Sequence, residues 1–435
     1  MICENFKVSV ALKESMFQKF KGVAAVATLT LLAACGGGSS SDSRPAALAT
    51  EMDALIQPYL AANGITAVTV AVMQNGQLLF EKAYGYRDLQ ATTPLAVDAL
   101  LSGASIVKPV TAAAINKLQS AGLVDRNDLV FCPPNFQWRC WIPNSWVTAS
   151  DNRIFTIRVE DLISHKGGWD RGGESCRAFT GVTALNTPGV QSLLRSSGLP
   201  CDSLQHDALV KGDLGLNRAP TTEETIRYVM ATNLDYDPGS PSSSVRDRYS
   251  NFGYMLLGYI IEQASGQSYN SYVNSQILSP LGIPVADFKN GNSLLSQADP
   301  REPNYITTKQ TLNVFGPGLV NARDGGVNAI NWVSTATSLM TARAMARFAS
   351  AYKIDTDTNG VDGPNNGQPL FGVTNDGFHG GDLPGSASLV RQLRSGISYA
   401  ILMNRNDKYE GSGVRRDYPM DMKTGIDRAI TRAGY

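Results

Sequence analysis

The pattern of hydrophobic and polar positions predicts a β-hairpin near each end of the chain. Residues 67–73 and 78–84 are runs rich in apolar and β-branched side chains, with an Asn-Gly pair between them that is typical of a two-residue hairpin turn. Residues 387–393 and 397–403 repeat this arrangement around a Ser-Gly pair. Because an isolated hairpin is marginal in water, we predict that both hairpins join one antiparallel sheet.

Helical spacing accounts for most of the other apolar positions. The segments with this spacing are 48–60, 110–121, 222–232, 253–265, 269–278 and 420–433. Long stretches rich in Gly, Pro, Ser and Asn separate the middle helices. The predicted fold class is therefore α/β of the α+β kind: an antiparallel sheet flanked by helices, built from both chain ends, with an inserted helical lobe.

The first 34 residues have the layout of an export signal. Residues 23–34 form an apolar run of twelve that follows Lys19 and Lys21, as in a secretory signal peptide, and the run is too short to span a bilayer. It ends in Leu-Ala-Ala-Cys at Cys35, which resembles the lipobox of bacterial lipoproteins. The resemblance implies that Cys35 carries a lipid and becomes the mature N-terminus.

The domain organisation follows from this layout. We predict a lipoprotein signal peptide at 1–34, a flexible Gly/Ser-rich tether at 35–47 and one folded domain at 48–435, with loop insertions at about 126–248. The expected location is the bacterial cell envelope, with a lipid anchor as the only attachment to a membrane.

Charge and composition restrict the possible partners. The chain has 435 residues, of which 43% are hydrophobic, and its 38 Lys and Arg balance 38 Asp and Glu. The hydrophobic fraction excludes wholesale disorder, and the balance argues against a nucleic-acid partner, which requires a basic surface. Loss of residues 1–34, which contain four Lys and two Glu, leaves a net charge of −2.

Four cysteines remain in the predicted mature domain, an even number in a compartment that permits disulfides. They allow three pairings. We favour Cys132–Cys140 and Cys176–Cys201, because each closes a short loop within one irregular stretch; free buried thiols are the alternative.

The sequence has no pattern for a metal or cofactor. His165, His206 and His379 are far apart, and neither His-Glu-x-x-His nor Cys-x-x-Cys occurs. We therefore predict no metal and no cofactor. Gly-x-Ser-x-Gly is also absent, which argues against an α/β-hydrolase.

The candidate chemistry begins at Ser105-Ile-Val-Lys108, at the start of a predicted helix. The i, i+3 spacing puts the hydroxyl and the amine on one helix face, where a basic group can accept the proton of a serine nucleophile. The motif alone is weak evidence for a catalytic site, since Ser350 and Lys353 have the same spacing. The other motifs in the chain must distinguish the two pairs.

Two further motifs follow Ser105 in order, Tyr249-Ser-Asn251 and His379-Gly-Gly381. Together with the short runs of residues at 122–125, 162–168 and 277–283, this order of motifs resembles that of the serine β-lactamase and penicillin-binding protein family. The specific branch comprises class C β-lactamases, D-alanyl-D-alanine carboxypeptidases, D-aminopeptidases and related esterases.

The resemblance implies a site in which a serine forms an acyl-enzyme and an oxyanion lies between two backbone N–H groups. The catalytic residues it implies are Ser105, Lys108 and Tyr249. The substrate-binding residues it implies are Asn251, His379, Gly381 and Asp382, with the N–H groups of Ser105 and Asp382 forming the oxyanion hole.

Several residues have alternative readings. His379 stands where β-lactamases have the Lys of Lys-Thr-Gly, which disfavours a true β-lactamase, and it could instead be the base of a Ser-His-Asp triad. Tyr272-Val-Asn274 competes for the second motif but lies inside a predicted helix. His165 is interpreted as structural.

We therefore expect a serine hydrolase that cleaves a peptide-like D-amino-acid amide or an ester, with a small molecule, peptide or ester as substrate. The alternatives are a genuine class C-like β-lactamase and a non-catalytic penicillin-recognising protein.

Overall fold

The structure is a computed structural model that describes residues 42–135, 139–147, 151–169, 206–231, 233–240, 249–354, 367, 376–406 and 418–435. Cys35, Cys176 and Cys201 lie outside the described residues, so the predicted lipidation and the Cys176–Cys201 pairing stay predictions. Residues Ser43–Tyr435 form one unit.

Helices occupy both ends and the middle of the described chain. They are α1 (Arg44–Asn63), α2 (Lys108–Ser120), α3 (Val159–Ile163), α4 (His206–Asp213), α5 (Thr222–Val229), α6 (Asn251–Ser265), α7 (Tyr269–Val273), α8 (Ala342–Ala349) and α9 (Tyr418–Arg432). Within the described residues, none of these helices combines the length and the hydrophobicity needed to cross a lipid bilayer.

In the part of the chain that the structure describes, strands form one large sheet and three small ones. They are β1 (Ala67–Gln74), β2 (Gln77–Gly85), β3 (Leu101–Ser102), β4 (Leu129–Phe131), β5 (Cys140–Ile142), β6 (Phe288–Lys289), β7 (Gln310–Leu312), β8 (Leu319–Asn321), β9 (Leu339–Met340), β10 (Gly377–Leu383), β11 (Ser386–Gln392) and β12 (Ile397–Met403). The large sheet has the order β10-β11-β12-β1-β2 and is antiparallel throughout.

The sheet confirms that both chain ends build one antiparallel layer. Strand β1 pairs with its hairpin partner β2 and with β12, and Val70 lies opposite Ile401. Asn75 and Gly76 both have positive φ, as the predicted two-residue turn requires.

Each face of the sheet contacts a different hydrophobic core. Successive side chains of a strand point to opposite faces. Val68, Val70 and Val72 pack in a core that includes α1 and α9, whereas Ala67 and Ala71 pack in the core of α2, α6 and α8. Because both faces are covered, β1 is almost entirely buried.

Helix α1 begins at Arg44, so the boundary predicted at residue 47 is wrong by a few residues. Pro45 lies in the first turn, where its fixed φ suits a helix and the missing N–H has no intrahelical partner to lose. Ala46 and Ala47 follow with high helix propensity. Residues 44–47 of the predicted tether are therefore helical, and a tether remains a prediction only for the residues before Arg44.

A disulfide joins Cys132 to Cys140, the first of the two predicted pairings. Cys140 begins β5, which pairs in parallel with β4 directly before Cys132. The bond therefore closes a short loop at the end of a two-strand ladder.

Candidate active site

The first motif forms a tight turn that leads into α2. Residues Ala104–Val107 adopt a 3₁₀ turn, which we call the nucleophile turn, and α2 begins directly after it. Ser105 is partly exposed, whereas the other residues of this turn are buried. Ala104 has a φ of +46°, a left-handed conformation that is costly for a residue with a Cβ. Such conformations persist where the surrounding structure fixes them, often at functional sites.

The amine of Lys108 contacts the hydroxyl of Ser105. Residues three apart are eclipsed in a 3₁₀ turn, and Lys108 Nζ donates to Ser105 Oγ at 3.2 Å. It also donates to the carbonyl oxygen of Thr335 at 3.0 Å. Lys108 has no exposed surface, and a buried amine needs such polar partners. The motif therefore holds a buried amine against a hydroxyl that can act as a nucleophile.

The second motif lies at the start of α6. Ser250 is the N-cap residue, and its Oγ accepts a hydrogen bond from the Gly253 N–H at 3.0 Å. Tyr249 and Asn251 flank it and are both buried. Lys108 Nζ lies 4.7 Å from the centroid of the Tyr249 ring, within the range of a cation–π interaction. The structure thus brings the first two motifs into contact.

A buried turn at Val333–Thr337 connects these motifs, and we call it the 333–337 turn. The Ser334 carbonyl accepts a hydrogen bond from Thr111 of α2 at 2.5 Å, and Thr335 Oγ1 donates to the Asn251 carbonyl at 3.3 Å. Gly258 of α6 permits this packing, because a Cβ there would lie within 2.6 Å of the Ser334 Cβ. The carbonyl that holds Lys108 is therefore fixed against both helices.

The third motif is part of β10, the edge strand of the large sheet. His379, Gly381 and Leu383 share one face of the strand. A Cβ on Gly381 would lie 2.7 Å from the carbonyl oxygen of Gly103 and 3.0 Å from the Ala104 Cβ. Only glycine fits here, so the strand lies directly against the nucleophile turn.

The backbone of β10 directs one N–H group away from β11. Its hairpin turn with β11 has two residues, so the flanking pair Leu383–Ser386 is the hydrogen-bonded kind. These pairs alternate along an antiparallel ladder, and the next pair is Asp382–Ala387. The Asp382 N–H therefore points away from β11 to the free edge of the sheet.

The carboxylate of Asp382 has a separate role. Its side chain projects from the face of β10 opposite to that of Gly381, and Oδ1 accepts a hydrogen bond from Asn406 Nδ2 at 3.0 Å. Asn406 also donates to the carbonyl of Ser386. The Asp382 side chain thus lies on the face of β10 opposite to the one that meets the nucleophile turn.

His379 lies at the site without contacting the nucleophile in the manner of a triad base. Its Nδ1 is 2.8 Å from the Gly380 carbonyl oxygen, so Nδ1 is the donor. Ser105 Oγ instead contacts Lys108. This geometry favours Lys108 over His379 as the group that exchanges a proton with Ser105.

A half-buried tyrosine, Tyr305, supports the strand that precedes the nucleophile turn. Ser102 donates its backbone N–H to the hydroxyl oxygen of Tyr305 at 2.8 Å, and Tyr305 donates to Glu302 at 3.2 Å. Burial and the neighbouring carboxylate raise the pKa of Tyr305 far above its usual value. The phenol therefore stays protonated and keeps its bond to Glu302.

The competing motifs lie elsewhere. Ser350 is at the C-terminal end of α8, where its hydroxyl donates to the Arg347 carbonyl at 2.7 Å. Tyr272 is a buried residue of α7, and the Asn274 amide donates to the carbonyl of Phe288. In the described residues, neither pair has the contact that Lys108 makes with Ser105 and Tyr249.

Two elements of the site were not identified from the sequence. The Thr335 carbonyl is a backbone group, which no side-chain motif reveals. His165 was interpreted as structural, yet its ring stacks on Tyr249 with centroids 4.4 Å apart. His165 lies within residues 162–168, one of the runs on which the family resemblance rests, and this could have indicated a role for it.

Comparison with known sequences gives two findings. A family model described as Beta-lactamase matches residues 52–418. Protein flp of Staphylococcus aureus strain MW2 is 26% identical over 243 residues, which are 56% of this chain and 39% of that protein. The chain thus spans less than half the length of the curated relatives that it matches.

Solved structures share the fold. The D-amino acid amidase from Ochrobactrum anthropi SV3, solved with L-phenylalanine amide, covers 89% of this chain and 99% of its own, with a TM-score of 0.57 and 17% identity. The β-lactamase/D-alanine carboxypeptidase from Yersinia pestis gives the same coverage and TM-score at 15% identity. At these identities the likeness establishes a common fold.

Proposed function

The chain belongs to the Beta-lactamase family, and from this premise we propose that it is a serine hydrolase in which Ser105 attacks an amide or ester carbonyl and forms an acyl-enzyme. The observation that carries the proposal is the contact of Lys108 Nζ with Ser105 Oγ, at 3.2 Å, beside the ring of Tyr249. No other Ser-x-x-Lys pair in the described residues has this arrangement.

Proton transfer is the first task of the proposed site. The Ser105 hydroxyl is a weak nucleophile until a neighbouring base takes its proton. Lys108 and Tyr249 are the groups in position to take it and to return it to the leaving amine or alcohol. Water then attacks the acyl ester, and the same groups act in reverse to release the acid and restore Ser105.

The negative charge that develops on the carbonyl oxygen needs donors. We assign this role to the backbone N–H groups of Ser105 and Asp382. In support, the Asp382 N–H faces the free edge of β10, and Gly381 lies against the nucleophile turn. Removal of one such donor typically costs about 2.7 to 4 kcal/mol of transition-state stabilisation.

The proposed substrate is a peptide-like D-amino-acid amide or an ester, held by Asn251 and by His379. The Yersinia pestis and Ochrobactrum anthropi proteins, whose names include a D-alanine carboxypeptidase and a D-amino acid amidase, support the amide. His379 takes the place of the lysine of Lys-Thr-Gly, so the fixed cation of that motif is absent here. This argues for a substrate without the fixed carboxylate of a β-lactam at that point.

A parallel turnover assay tests the proposal. Purified protein is given a D-amino-acid amide, a D-alanyl peptide, a p-nitrophenyl ester and a cephalosporin, each also with Ser105→Ala. We expect turnover of an amide or ester that Ser105→Ala abolishes. Faster turnover of the cephalosporin than of the others would assign the protein as a β-lactamase, and equal rates for both proteins would overturn the role of Ser105.

We further propose that the protein is an exported lipoprotein with its lipid on Cys35. The support is the apolar segment 23–34 followed directly by this cysteine. Metabolic labelling with palmitate in a bacterial host tests it. Label should enter the wild type and be lost in Cys35→Ala, whereas equal label in both would contradict the proposal.

A further inference from the structure

The backbone conformation of His165 is unusual. This residue follows α3, is 1% exposed and has a φ of +54°, a region that residues other than glycine seldom adopt. Its carbonyl accepts a hydrogen bond from the Tyr236 hydroxyl at 2.9 Å. A strained and buried residue of this kind persists when surrounding contacts hold it in place.

The imidazole of His165 holds the backbone of the second motif. Its Nδ1 accepts a hydrogen bond from the Ser250 N–H at 3.0 Å, in a buried environment. Ser250 directly follows Tyr249 in the chain. Because Nδ1 accepts this bond, it carries no proton. A protonated Nδ1 would be a donor that faces the Ser250 N–H, which is also a donor. The contact therefore requires an imidazole with an unprotonated Nδ1.

The same ring also contacts the side chain of Tyr249. The ring centroids of His165 and Tyr249 are 4.4 Å apart with planes at 28°, and those of His165 and Tyr254 are 5.0 Å apart. Lys108 Nζ lies 4.7 Å from the Tyr249 ring and 5.6 Å from the Tyr254 ring. The Tyr249 ring thus lies between the imidazole of His165 and the amine of Lys108.

We infer that His165 is a positioning residue for proton transfer. Its Nδ1 fixes the Ser250 backbone and thereby places the ring of the adjacent Tyr249 beside Lys108. This inference rests on the proposed role of Tyr249. It assigns to His165 a contribution to the rate that operates through Tyr249, without contact between His165 and the substrate.

Two substitutions separate the contacts of His165. His165→Asn keeps an acceptor, because Asn Oδ1 branches from Cγ as Nδ1 does, and Asn tolerates positive φ. His165→Phe keeps an aromatic ring but leaves the buried Ser250 N–H without its acceptor. We expect His165→Phe to lower kcat at least about tenfold with KM nearly unchanged, and His165→Asn to keep kcat within about threefold of the wild type.

The matched control is Tyr236→Phe. It removes a hydrogen bond to the carbonyl of the same residue but leaves the Ser250 contact intact. We expect a melting temperature lower by a few degrees and kcat within about twofold of the wild type. A loss of kcat in Tyr236→Phe equal to that in His165→Phe would reduce His165 to a general structural role.

The outcomes are distinct. If the wild type turns over the ester through Ser105 but His165→Phe keeps its kcat, the inference fails and the proposed function stands. If Ser105→Ala leaves turnover unchanged, the proposed function itself fails. If His165→Phe does not fold, the folded His165→Asn variant decides, and a loss of kcat beyond about threefold in it contradicts the inference.

Discussion

The amine of Lys108 lies in a completely buried position between a serine hydroxyl, a backbone carbonyl and the rings of two tyrosines. Burial of a charged side chain there carries a desolvation penalty. The protein would often be as stable or more stable with an apolar residue of similar shape at this position. At the scale of single residues, the buried location of Lys108 is therefore better explained by a role in catalysis than by a contribution to folding stability.

Lys108→Met tests this separation. The substitution keeps an unbranched side chain but removes the amine, so the hydroxyl of Ser105 loses its proton acceptor. We expect kcat/KM to fall by about 10²- to 10⁴-fold, while the free energy of unfolding stays the same or rises. Ester turnover and urea denaturation measure the two quantities.

Lys353→Met is the control for this prediction, because it changes the lysine of the competing Ser-x-x-Lys motif. Its kcat/KM should match that of the wild type. Full activity in Lys108→Met, or an equal loss in both variants, would contradict the assignment of Lys108.

At the scale of elements, the position of β10 determines whether the site is complete. Both predicted hairpins are confirmed, but β10 itself was not predicted as a strand. Three of its seven residues are glycine, which lowers the strand propensity of the segment. The strand forms because it pairs with β11 along its whole length. Gly381 is one of the glycines that hide the strand in the sequence, and it is also the residue that allows β10 to approach Ala104.

Gly381→Ala tests the approach of β10 to the nucleophile turn. The new Cβ would lie 2.7 Å from the Gly103 carbonyl oxygen, so the strand must move and carry the Asp382 N–H with it. We expect kcat/KM to fall by about 10²-fold, as for the loss of an oxyanion donor.

The neighbouring glycine provides a matched control. Among the described residues, a Cβ on Gly380 meets only the Pro419 Cβ, at 3.9 Å, which is ordinary van der Waals contact. Gly380→Ala should retain kcat/KM within about threefold of the wild type. Equal activities of the two variants would show that the spacing of β10 and the turn does not matter.

At the scale of the whole molecule, the inserted segment is bound to the rest of the fold by a buried carboxylate. Asp207 of α4 has no exposed surface. It accepts hydrogen bonds from the Asn328 N–H at 3.1 Å, Asn331 Nδ2 at 3.2 Å, Trp332 Nε1 at 2.7 Å and Thr225 Oγ1 at 3.2 Å. The described part of the insertion is thus attached directly before the 333–337 turn.

The titration of Asp207 predicts a pH dependence of stability. Burial raises its pKa to about 6, against the lowering effect of its hydrogen bonds. A folded pKa above the unfolded value means that its contribution is fully present at low pH and is lost as pH rises through about 6. Relative to Asp207→Asn, the wild type should lose about 2 kcal/mol of unfolding free energy between about pH 4.5 and 7.5.

Urea denaturation of both proteins across this pH range provides the measurement. The variant is the reference because Asn does not titrate, and the carboxylates common to both proteins cancel in the difference. A difference that is constant with pH would contradict the raised pKa of Asp207.

The order of three short motifs was enough to predict the family and the fold class, because each motif is a local run of residues. The sequence could not reveal the carbonyl of Thr335, the attachment of α4 through Asp207 or the stacking of His165 on Tyr249. These contacts join residues more than eighty positions apart in the chain, and their chemistry arises only when the chain has folded.

The central claim is that Ser105 becomes acylated, and peptide mass mapping after treatment with a fluorophosphonate tests it most directly. The account predicts one adduct, on the peptide that contains Ser105, in the wild type and in Ser350→Ala, and no adduct in Ser105→Ala. An adduct on a different serine, or label that persists in Ser105→Ala, would contradict the account.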